Sequence, residues 1–207
     1  MNHATRVCIL DYGSGNVKSV YNVVSYLKYD VVISNNPGDI KRATHIILPG
    51  VGSFGSAMEK IKALIPLDVL EKEVFNHQKP FLGICVGMQI LSEKGFEHGK
   101  HQGLGWIKGN VVKLKAGSLP LPHIGWNAIN IKRESPIFKQ FADIRDFYFV
   151  HSYAFDVSDN TLIISETDYG QSFCSTVQFK NIYGVQFHPE KSQKAGQLLL
   201  KNFFELE

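Results

Sequence analysis

One cysteine of the sequence stands in a setting that suits a nucleophile. Cys85 follows the apolar run PFLGI, with Gly83 two residues before it and Gly87 two residues after it. A chain that passes from a strand directly into a helix turns sharply, and small neighbours relieve the crowding of that turn. Such a turn predicts a side chain exposed above the sheet edge at a helix N-terminus, where the dipole favours thiolate. A buried cysteine on a tight turn is the simpler alternative, but the paired glycines favour a nucleophile.

A histidine near the C-terminus has the surroundings of a general base. His188 follows the apolar run IYGVQF, and Pro189 blocks further strand pairing. Residues two apart in an extended segment share a face, so Glu190 can accept a hydrogen bond from the imidazole. A carboxylate there fixes the tautomer and favours the imidazolium that forms during turnover. HPE alone would indicate an ordinary surface turn, whereas a nucleophilic Cys85 in the same chain favours a catalytic base.

A glycine-rich segment supplies a third element. The run HIILPG ends in Pro-Gly-Val-Gly, and we expect the backbone N–H groups of Gly50, Val51 and Gly52 to be free above the sheet edge. Successive free N–H groups can bind an oxyanion. Taken alone, the segment is equally typical of a plain strand-to-helix turn. Cys8 and Cys174 lie within strand patterns without flanking glycines, so we predict that both are core residues.

Other motifs give weaker indications of a site. DYGSGNVKS contains GxG after the first strand, but Lys18 stands where a dinucleotide fingerprint needs its third glycine. His98 and His101 lack a carboxylate or thiol that completes a metal site, which favours a solvated loop. Trp126 could lie in the core or anchor an interface, and the broken apolar alternation around it favours the anchor.

The first half of the chain alternates strand and helix patterns. Strands are predicted at 6–12, 30–34, 45–50 and 80–84. Helices are predicted at 17–27, 55–64, 67–76 and 86–94. Continuous apolar strands between amphipathic helices are typical of a parallel sheet covered on both faces.

After residue 105 the pattern changes to strands separated by turns. These strands lie in NVVKL, WNAINI, FYFVHSY, TLIISE, FCSTVQF and IYGVQF. We expect them to be antiparallel additions to the same sheet, followed by an amphipathic helix over 192–207 that Ser192 caps. The sequence therefore predicts one α/β domain over 1–207, with a central, mostly parallel sheet flanked by helices and extended by antiparallel strands.

Composition and charge disfavour several classes of function. The 207 residues are 44% hydrophobic and 20% charged, with a net charge of +3 and no stripe of Lys and Arg. Nucleic acid is therefore disfavoured as the main partner. We expect neither a signal peptide nor a membrane-spanning segment. Three cysteines without CxxC spacing indicate a reducing, cytoplasmic location with no disulfide framework and no zinc site.

Three motifs together resemble a known family. PGVG, GICVGMQ and QFHPEKS, in this order and at these separations, resemble the class I (triad) glutamine amidotransferases over essentially the whole chain. DYGSGNVKSV, GLGWIKG, PHIGWN and YFVHSY narrow the resemblance to the glutaminase subunits of imidazole glycerol phosphate synthase. The resemblance implies release of ammonia from glutamine, its transfer to a separate (β/α)8-barrel subunit in histidine biosynthesis, and no cofactor.

The resemblance also implies roles for individual residues. The nucleophile would be Cys85, the general base and acid His188, and its orienting carboxylate Glu190. The oxyanion hole would be formed by the backbone of Gly50, Val51 and Gly52. Glutamine would be held by Gln89, His151, Ser152 and Tyr153. The residues that match partner-facing positions of the family are Asn16, Trp126, Tyr148 and Lys191.

Two alternatives to histidine biosynthesis stay open. The segments GLGWIKGNVVKLKAG and CSTVQFKNIYGVQF also resemble paralogous glutaminases that supply ammonia for amidination of bacterial surface sugars. Those paralogues share the catalytic motifs, so the motifs do not separate the two acceptors. The other alternative is a non-catalytic binding module or a cysteine hydrolase of another substrate on the same fold. An intact Cys–His–Glu set argues against a module, and PGVG with Gln89 argues for glutamine.

Overall fold

The protein is described by a computed structural model that covers residues 5–141 and 145–206. Its strands are β1 Arg6–Ile9, β2 Asp30–Ile33, β3 His45–Gly50, β4 Phe81–Cys85, β5 Lys94–Gly95, β6 His101–Gln102, β7 Gly109–Lys113, β8 His123–Ala128, β9 Asn130–Ile131, β10 Asp146–His151, β11 Tyr153–Val157, β12 Ile163–Tyr169, β13 Gln171–Phe179 and β14 Ile182–Val185. Its α-helices are α1 Val17–Tyr26, α2 Pro37–Arg42, α3 Phe54–Leu64, α4 Leu67–Glu71, α5 Val86–Gln89 and α6 Gln193–Phe204.

The largest sheet has eight strands in the order β2-β1-β3-β4-β14-β13-β12-β9. The five strands from β2 to β14 are parallel, and β13, β12 and β9 continue the sheet antiparallel. Every residue of β3 and β4 is buried. Because successive strand residues point to opposite faces, both faces of this region are covered. The predicted α/β fold, with a mostly parallel sheet extended by antiparallel strands, is confirmed.

Two corrections concern the strands of the second half. The run IYGVQF forms β14, which pairs parallel to β4 rather than antiparallel. Four other strands leave the main sheet: β8 and β10 form a two-stranded sheet, and β7 and β11 belong to a four-stranded sheet with β5 and β6. Burial alternates along β8 and β10, so one face of this two-stranded sheet is the more exposed, whereas β4 is buried throughout.

A third correction concerns the helix predicted over 86–94. The helix α5 ends at Gln89, after which the N–H groups of Leu91 and Ser92 bind carbonyls three residues earlier instead of four. Leu104 and Gly105 donate their backbone N–H groups to the carbonyls of Ile90 and Ser92, at 2.7 and 2.9 Å. The sequence also missed the short elements α2, β5 and β6.

The boundaries of three predicted elements differ in detail. The strand β1 ends at Ile9 rather than at residue 12, since the N–H of Asp11 binds the Asn35 side chain. The helix predicted over 67–76 is α4 followed by a π-helical turn at Lys72–Asn76. The last residue of the predicted C-terminal helix, 207, and residues 1–4 lie outside the described residues.

Ser192 precedes α6 but does not cap it, which corrects the prediction. Its hydroxyl donates to the carbonyl of His188 at 2.6 Å and accepts the N–H of Tyr148 at 3.0 Å. The hydroxyl therefore ties the segment after β14 to β10. Within the described residues, no helix is long and apolar enough to span a membrane.

Candidate active site

The chain turns sharply at Cys85, as the flanking glycines predict. Cys85 joins β4 to α5 with a φ of +55°, a left-handed conformation that is costly for a residue with a Cβ atom. A Cβ atom on Gly83 would lie 2.4 Å from the carbonyl oxygen of Gly87, and one on Gly87 would lie 1.9 Å from that of Leu48. Both positions therefore require glycine, and this close packing holds the strained turn against β3.

The Cys85 side chain is less accessible than the turn predicts. It is 4% exposed and lines a cavity of about 240 Å³ instead of standing open above the sheet. The helix that follows has four residues, so its dipole is short and the side chains around the sulfur matter more. The other two cysteines are core residues, as predicted. Burial raises the pKa of Cys8 to about 12 and also raises the pKa of Cys174, so both remain thiols at neutral pH.

His188 and Cys85 meet at one edge of the sheet because β14 and β4 are parallel neighbours. His188 Nδ1 donates to Glu190 Oε1 at 2.7 Å, and the two side chains are 2% and 1% exposed. The same carboxylate oxygen accepts the Asn16 amide at 3.1 Å. With Nδ1 bound to Glu190, the ring has Nε2 left for Cys85, and no other hydrogen-bond partner of Nε2 lies among the described residues.

Two neighbours determine the charge of His188. Burial alone would lower the pKa of His188, but the charge of Cys85, its interaction with the ring, and Glu190 together raise this pKa above its usual value. The imidazolium form is therefore favoured beside a Cys85 thiolate. The arrangement can hold a thiolate and an imidazolium next to each other, the state in which cysteine is nucleophilic.

Gln186 is a site residue that the sequence analysis missed. It is fully buried directly after β14, and its Nε2 lies 3.6 Å from Cys85 Sγ. Its Oε1 accepts the amide of Gln89 at 3.0 Å. One signal could have identified it: a polar glutamine two residues before His188 shares the face of that histidine in an extended segment.

The Pro-Gly-Val-Gly segment lies beside Cys85 but is not fully free. Gly50 pairs with Cys85 in the register of β3 and β4. The N–H of Val51 donates to the carbonyl of Ser14 at 3.2 Å, which corrects the expectation that these N–H groups are unoccupied. Gly52 adopts a φ of +92°, where glycine is favoured. A change in this segment would have to break one hydrogen bond to free the Val51 N–H.

The remaining predicted glutamine-binding residues line the same cavity as Cys85. Gln89, His151, Ser152 and Tyr153 all contribute to its wall. The carbonyl oxygen of Tyr153 accepts two hydrogen bonds, from Gln89 Nε2 at 2.8 Å and from His151 Nδ1 at 3.0 Å. Both hydrogens of the Gln89 side-chain NH2 group are therefore engaged within the protein, by Tyr153 and Gln186, and Gln89 contributes to the wall of the cavity.

A carboxylate that the sequence analysis did not single out also lines this cavity. Glu97 follows β5, and its Oε2 accepts the N–H of Phe54 at 2.8 Å. That N–H opens α3, so the carboxylate stabilises the first turn of the helix. Nothing in the local sequence signals this contact, because Glu97 and Phe54 are 43 residues apart.

The four residues matched to partner-facing positions are close to one another. Trp126 and Tyr148 pair across β8 and β10, with ring centroids 6.2 Å apart. Lys191 Nζ lies 5.5 Å from the centre of the Tyr148 ring, and Asn16 binds Glu190, the neighbour of Lys191. Trp126 is 50% exposed and therefore is not a core residue.

Among the described residues, no group of three or more His, Cys, Asp or Glu side chains is arranged to hold a metal ion. His98 lies in a turn, whereas His101 lies in β6, which corrects the predicted loop at that residue. The ring of His101 occupies the space beside Gly55 of α3, where a Cβ atom would lie 2.6 Å from it.

Comparison with known proteins places the chain in a family. A family model described as Glutamine amidotransferase class-I matches residues 8–206. A solved structure titled "Structure of PurLQS from Thermotoga maritima" has the same fold, with a TM-score of 0.73 and 17% identity over 97% of this chain and 98% of that chain. The chain belongs to the class-I glutamine amidotransferases.

The curated relatives of this chain point to one group within the class-I glutamine amidotransferases. The imidazole glycerol phosphate synthase subunit HisH of Aquifex aeolicus is 43% identical over 199 residues, covering 96% of this chain and 95% of the relative. Subunit HisH 1 of Vibrio vulnificus is 45% identical over 206 residues, covering 97% and 98%. The resemblance to this glutaminase group, stated from the motifs, is confirmed.

Proposed function

We propose that this protein is the glutaminase subunit of imidazole glycerol phosphate synthase and that Cys85, His188 and Glu190 are its catalytic triad. One observation carries the proposal. A cysteine on a strained turn and a histidine bound to a buried carboxylate meet at the carboxyl ends of β4 and β14, beside one cavity. The HisH relatives, similar over nearly their whole lengths, support this assignment and a single amidotransferase domain over 1–207.

The proposed reaction follows from these groups. The Cys85 thiolate attacks the side-chain amide carbon of glutamine, and the resulting tetrahedral intermediate places negative charge on the amide oxygen. The His188 imidazolium gives its Nε2 proton to the departing nitrogen. The C–N bond breaks, ammonia leaves, and the acyl group remains on Cys85 as a thioester. His188, now neutral, takes a proton from water that attacks the thioester, and glutamate and the thiolate are released. Glu190 keeps the proton on Nδ1 throughout, so that Nε2 carries out both transfers.

The oxyanion would be held by the backbone of Gly50, Val51 and Gly52. The hydrogen bond from Val51 to Ser14 supports a low resting activity, because one of these donors is engaged elsewhere. We propose that binding of the partner subunit with its acceptor bound releases this donor. The isolated chain is then a poor glutaminase.

The partner in this proposal is a (β/α)8-barrel cyclase subunit, bound as a heterodimer. It would use the ammonia to make imidazole glycerol phosphate and AICAR. Trp126, Tyr148 and Lys191 form the proposed docking face, which we call the Trp126 face. Asn16 joins this face to the triad through its hydrogen bond to Glu190. A closed route is required, because free ammonia is protonated in water at neutral pH and loses its nucleophilicity.

The proposal is tested by measuring glutamate release with and without the barrel subunit of the same organism. We expect slow release by the chain alone and a large increase when the barrel subunit and its acceptor are added. Full turnover by the chain alone, unchanged by the barrel, would contradict the activation. No release under either condition would favour a non-catalytic module.

Gene deletion separates the two possible acceptors of the ammonia. We expect deletion to cause histidine auxotrophy that this gene restores and its Cys85→Ala variant does not. Growth without histidine, together with loss of an amidinated surface sugar, would instead assign the protein to the paralogous pathway.

A further inference from the structure

A chain of hydrogen bonds leads from β8 toward the candidate site. It begins at Asn127, whose side-chain amide lies 3.3 Å from His123 Nε2. His123 Nδ1 lies 3.0 Å from His151 Nε2. His151 Nδ1 in turn donates to the carbonyl oxygen of Tyr153 at 3.0 Å. Both imidazoles are buried, with 3% and 5% of their surface exposed.

The same series of hydrogen bonds continues to the sulfur of Cys85. The Tyr153 carbonyl also accepts Gln89 Nε2 at 2.8 Å. The other hydrogen of that amide goes to Gln186 Oε1 at 3.0 Å. Gln186 Nε2 then points to Cys85 Sγ at 3.6 Å. Every side chain between His123 and the sulfur is therefore engaged in a defined contact.

The direction of each hydrogen bond in the histidine pair is determined. A carbonyl oxygen can only accept, so His151 carries its proton on Nδ1 and accepts at Nε2. His123 must then carry its proton on Nδ1 and accept from Asn127 at Nε2. Burial lowers the pKa of His123 to about 4 and the pKa of His151 to about 3, so both rings are neutral at neutral pH. A neutral imidazole offers one donor and one acceptor, which is what each position uses.

The Gln186 amide is held in one of its two orientations. Its oxygen faces the Gln89 amide, so its NH2 group faces the sulfur. The reversed orientation would place two NH2 groups against each other and leave an oxygen beside a thiolate, which is unfavourable for fully buried groups.

We infer that Gln186 is a further catalytic residue, which donates a hydrogen bond to the Cys85 thiolate. We further infer that His123 is a positioning residue, which acts on Gln186 through His151, Tyr153 and Gln89. The inference rests on the proposed function of Cys85 as the nucleophile. A hydrogen bond to a charged acceptor is stronger than one between neutral groups, and burial strengthens it again. Among the described residues, the titratable side chains His188 and Tyr12 interact with the Cys85 charge, whereas the Gln186 amide donates at every pH.

The test measures alkylation of Cys85 by iodoacetamide in the full chain, with Cys85→Ser as the blank. Only the thiolate reacts at an appreciable rate. We expect Gln186→Met, which keeps length and apolar bulk, to lower the rate constant at neutral pH about tenfold, the effect of one lost charge-assisted hydrogen bond. The deficit should shrink as the pH rises, because the thiolate then forms without help from the lost hydrogen bond. Gln178→Met, on the adjacent strand β13, is the matched control and should react normally.

Two variants of His123 test the hydrogen bonds that lead from His123 to Gln186. They also test the inference if Gln186→Met does not fold. His123 stacks on Phe149 and Tyr169, with centroids 5.0 and 4.0 Å apart. Phenylalanine keeps this stacking but removes the donor to His151. Asparagine loses the stacking but places an N–H where Nδ1 was. We expect slower alkylation in His123→Phe and near-normal alkylation in His123→Asn, the reverse of their order of stability.

Each remaining outcome decides the inference. Equal alkylation in Gln186→Met and wild type, or a deficit that does not shrink as the pH rises, would overturn the donor role of Gln186. Slower alkylation in His123→Asn than in His123→Phe would overturn the positioning role of His123. Alkylation needs neither glutamine nor a partner. A wild-type chain that releases no glutamate either alone or with the barrel subunit and its acceptor would therefore contradict the proposed function separately.

Discussion

The site edge, where β4 and β14 end, and the outer face of β8 and β10 are adjacent but are built in opposite ways. At the site edge Cys85, Gln186 and His188 are at most 4% exposed, and glycine contacts fix the backbone. On the outer face Ile124 and Trp126 are 59% and 50% exposed. Chemistry needs groups held in one geometry, whereas docking needs area that is free until a partner covers it. Substitutions at the edge should therefore affect turnover or folding, and those on the face should affect association.

The largest expected effect is on turnover at the site edge. Cys85→Ala and Cys85→Ser should lower glutamate release more than about a thousandfold, as the loss of a nucleophile does in enzymes that act through one. The fold and the affinity for the barrel subunit should be retained, since the side chain occupies a cavity wall. Glutaminase assays and a binding titration measure the two properties. Cys8→Ala, in the core, should lose packing only. Near-native turnover by clean Cys85→Ala protein would end the nucleophile assignment.

The second prediction compares two glycines. Gly87→Ala places a Cβ atom 1.9 Å from the Leu48 carbonyl oxygen, so the turn must deform or unfold. We expect the free energy of unfolding to fall by about 3 kcal/mol or more, as in severe overpacking. Gly125→Ala on β8 meets no atom within 4 Å, and its φ of +133° costs about 1–3 kcal/mol. Denaturant melts of both variants measure the difference. Equal losses would show that backbone contact does not set the turn.

The sequence predicted the first half of the molecule better than the second. The strand at 45–50 has the predicted bounds, because a buried parallel strand is a continuous apolar run with clear ends. The turn at Cys85 was also predictable, because a sharp strand-to-helix turn needs a small residue two positions away on each side. The early end of α5 was not predictable, because the segment that follows it is bound by residues 104 and 105, which are distant in the sequence.

The site was predicted where its contacts are local. His188 and Glu190 are two residues apart, so the strand period alone brings them together. Gln186 contacts Cys85 across 101 residues, and the Val51 hydrogen bond to Ser14 depends on loop geometry. Neither contact leaves a periodic signal. Gln186 and His188 meet Cys85 because β14 pairs in parallel with β4. The sequence did not predict this pairing.

The third prediction concerns acid stability. Burial lowers the pKa of His45, at the start of β3, from 6.5 to about 4. Between these values the unfolded chain binds a proton that the folded chain does not, so stability falls as the pH falls. This histidine alone should account for a loss of up to about 3 kcal/mol between pH 6.5 and pH 4. His45→Phe should flatten the dependence of the unfolding free energy on pH in that window, as denaturant melts at several pH values would measure. An unchanged slope would contradict the assignment.

The last prediction tests the Trp126 face. Trp126 touches Tyr148 edge to face but is half exposed, so truncation should change the thermal stability of the isolated chain little. As an anchor buried by the barrel subunit, its ring should contribute about 2 kcal/mol to association. Trp126→Ala should therefore raise Kd for the barrel subunit more than about tenfold, which calorimetry would measure. Tyr26→Ala, an exposed aromatic at the end of α1, is the matched control and should bind normally. If Trp126→Ala instead melts much earlier and binds normally once folded, the ring stabilises the sheet of β8 and β10 rather than the interface, and the contrast between the two regions fails.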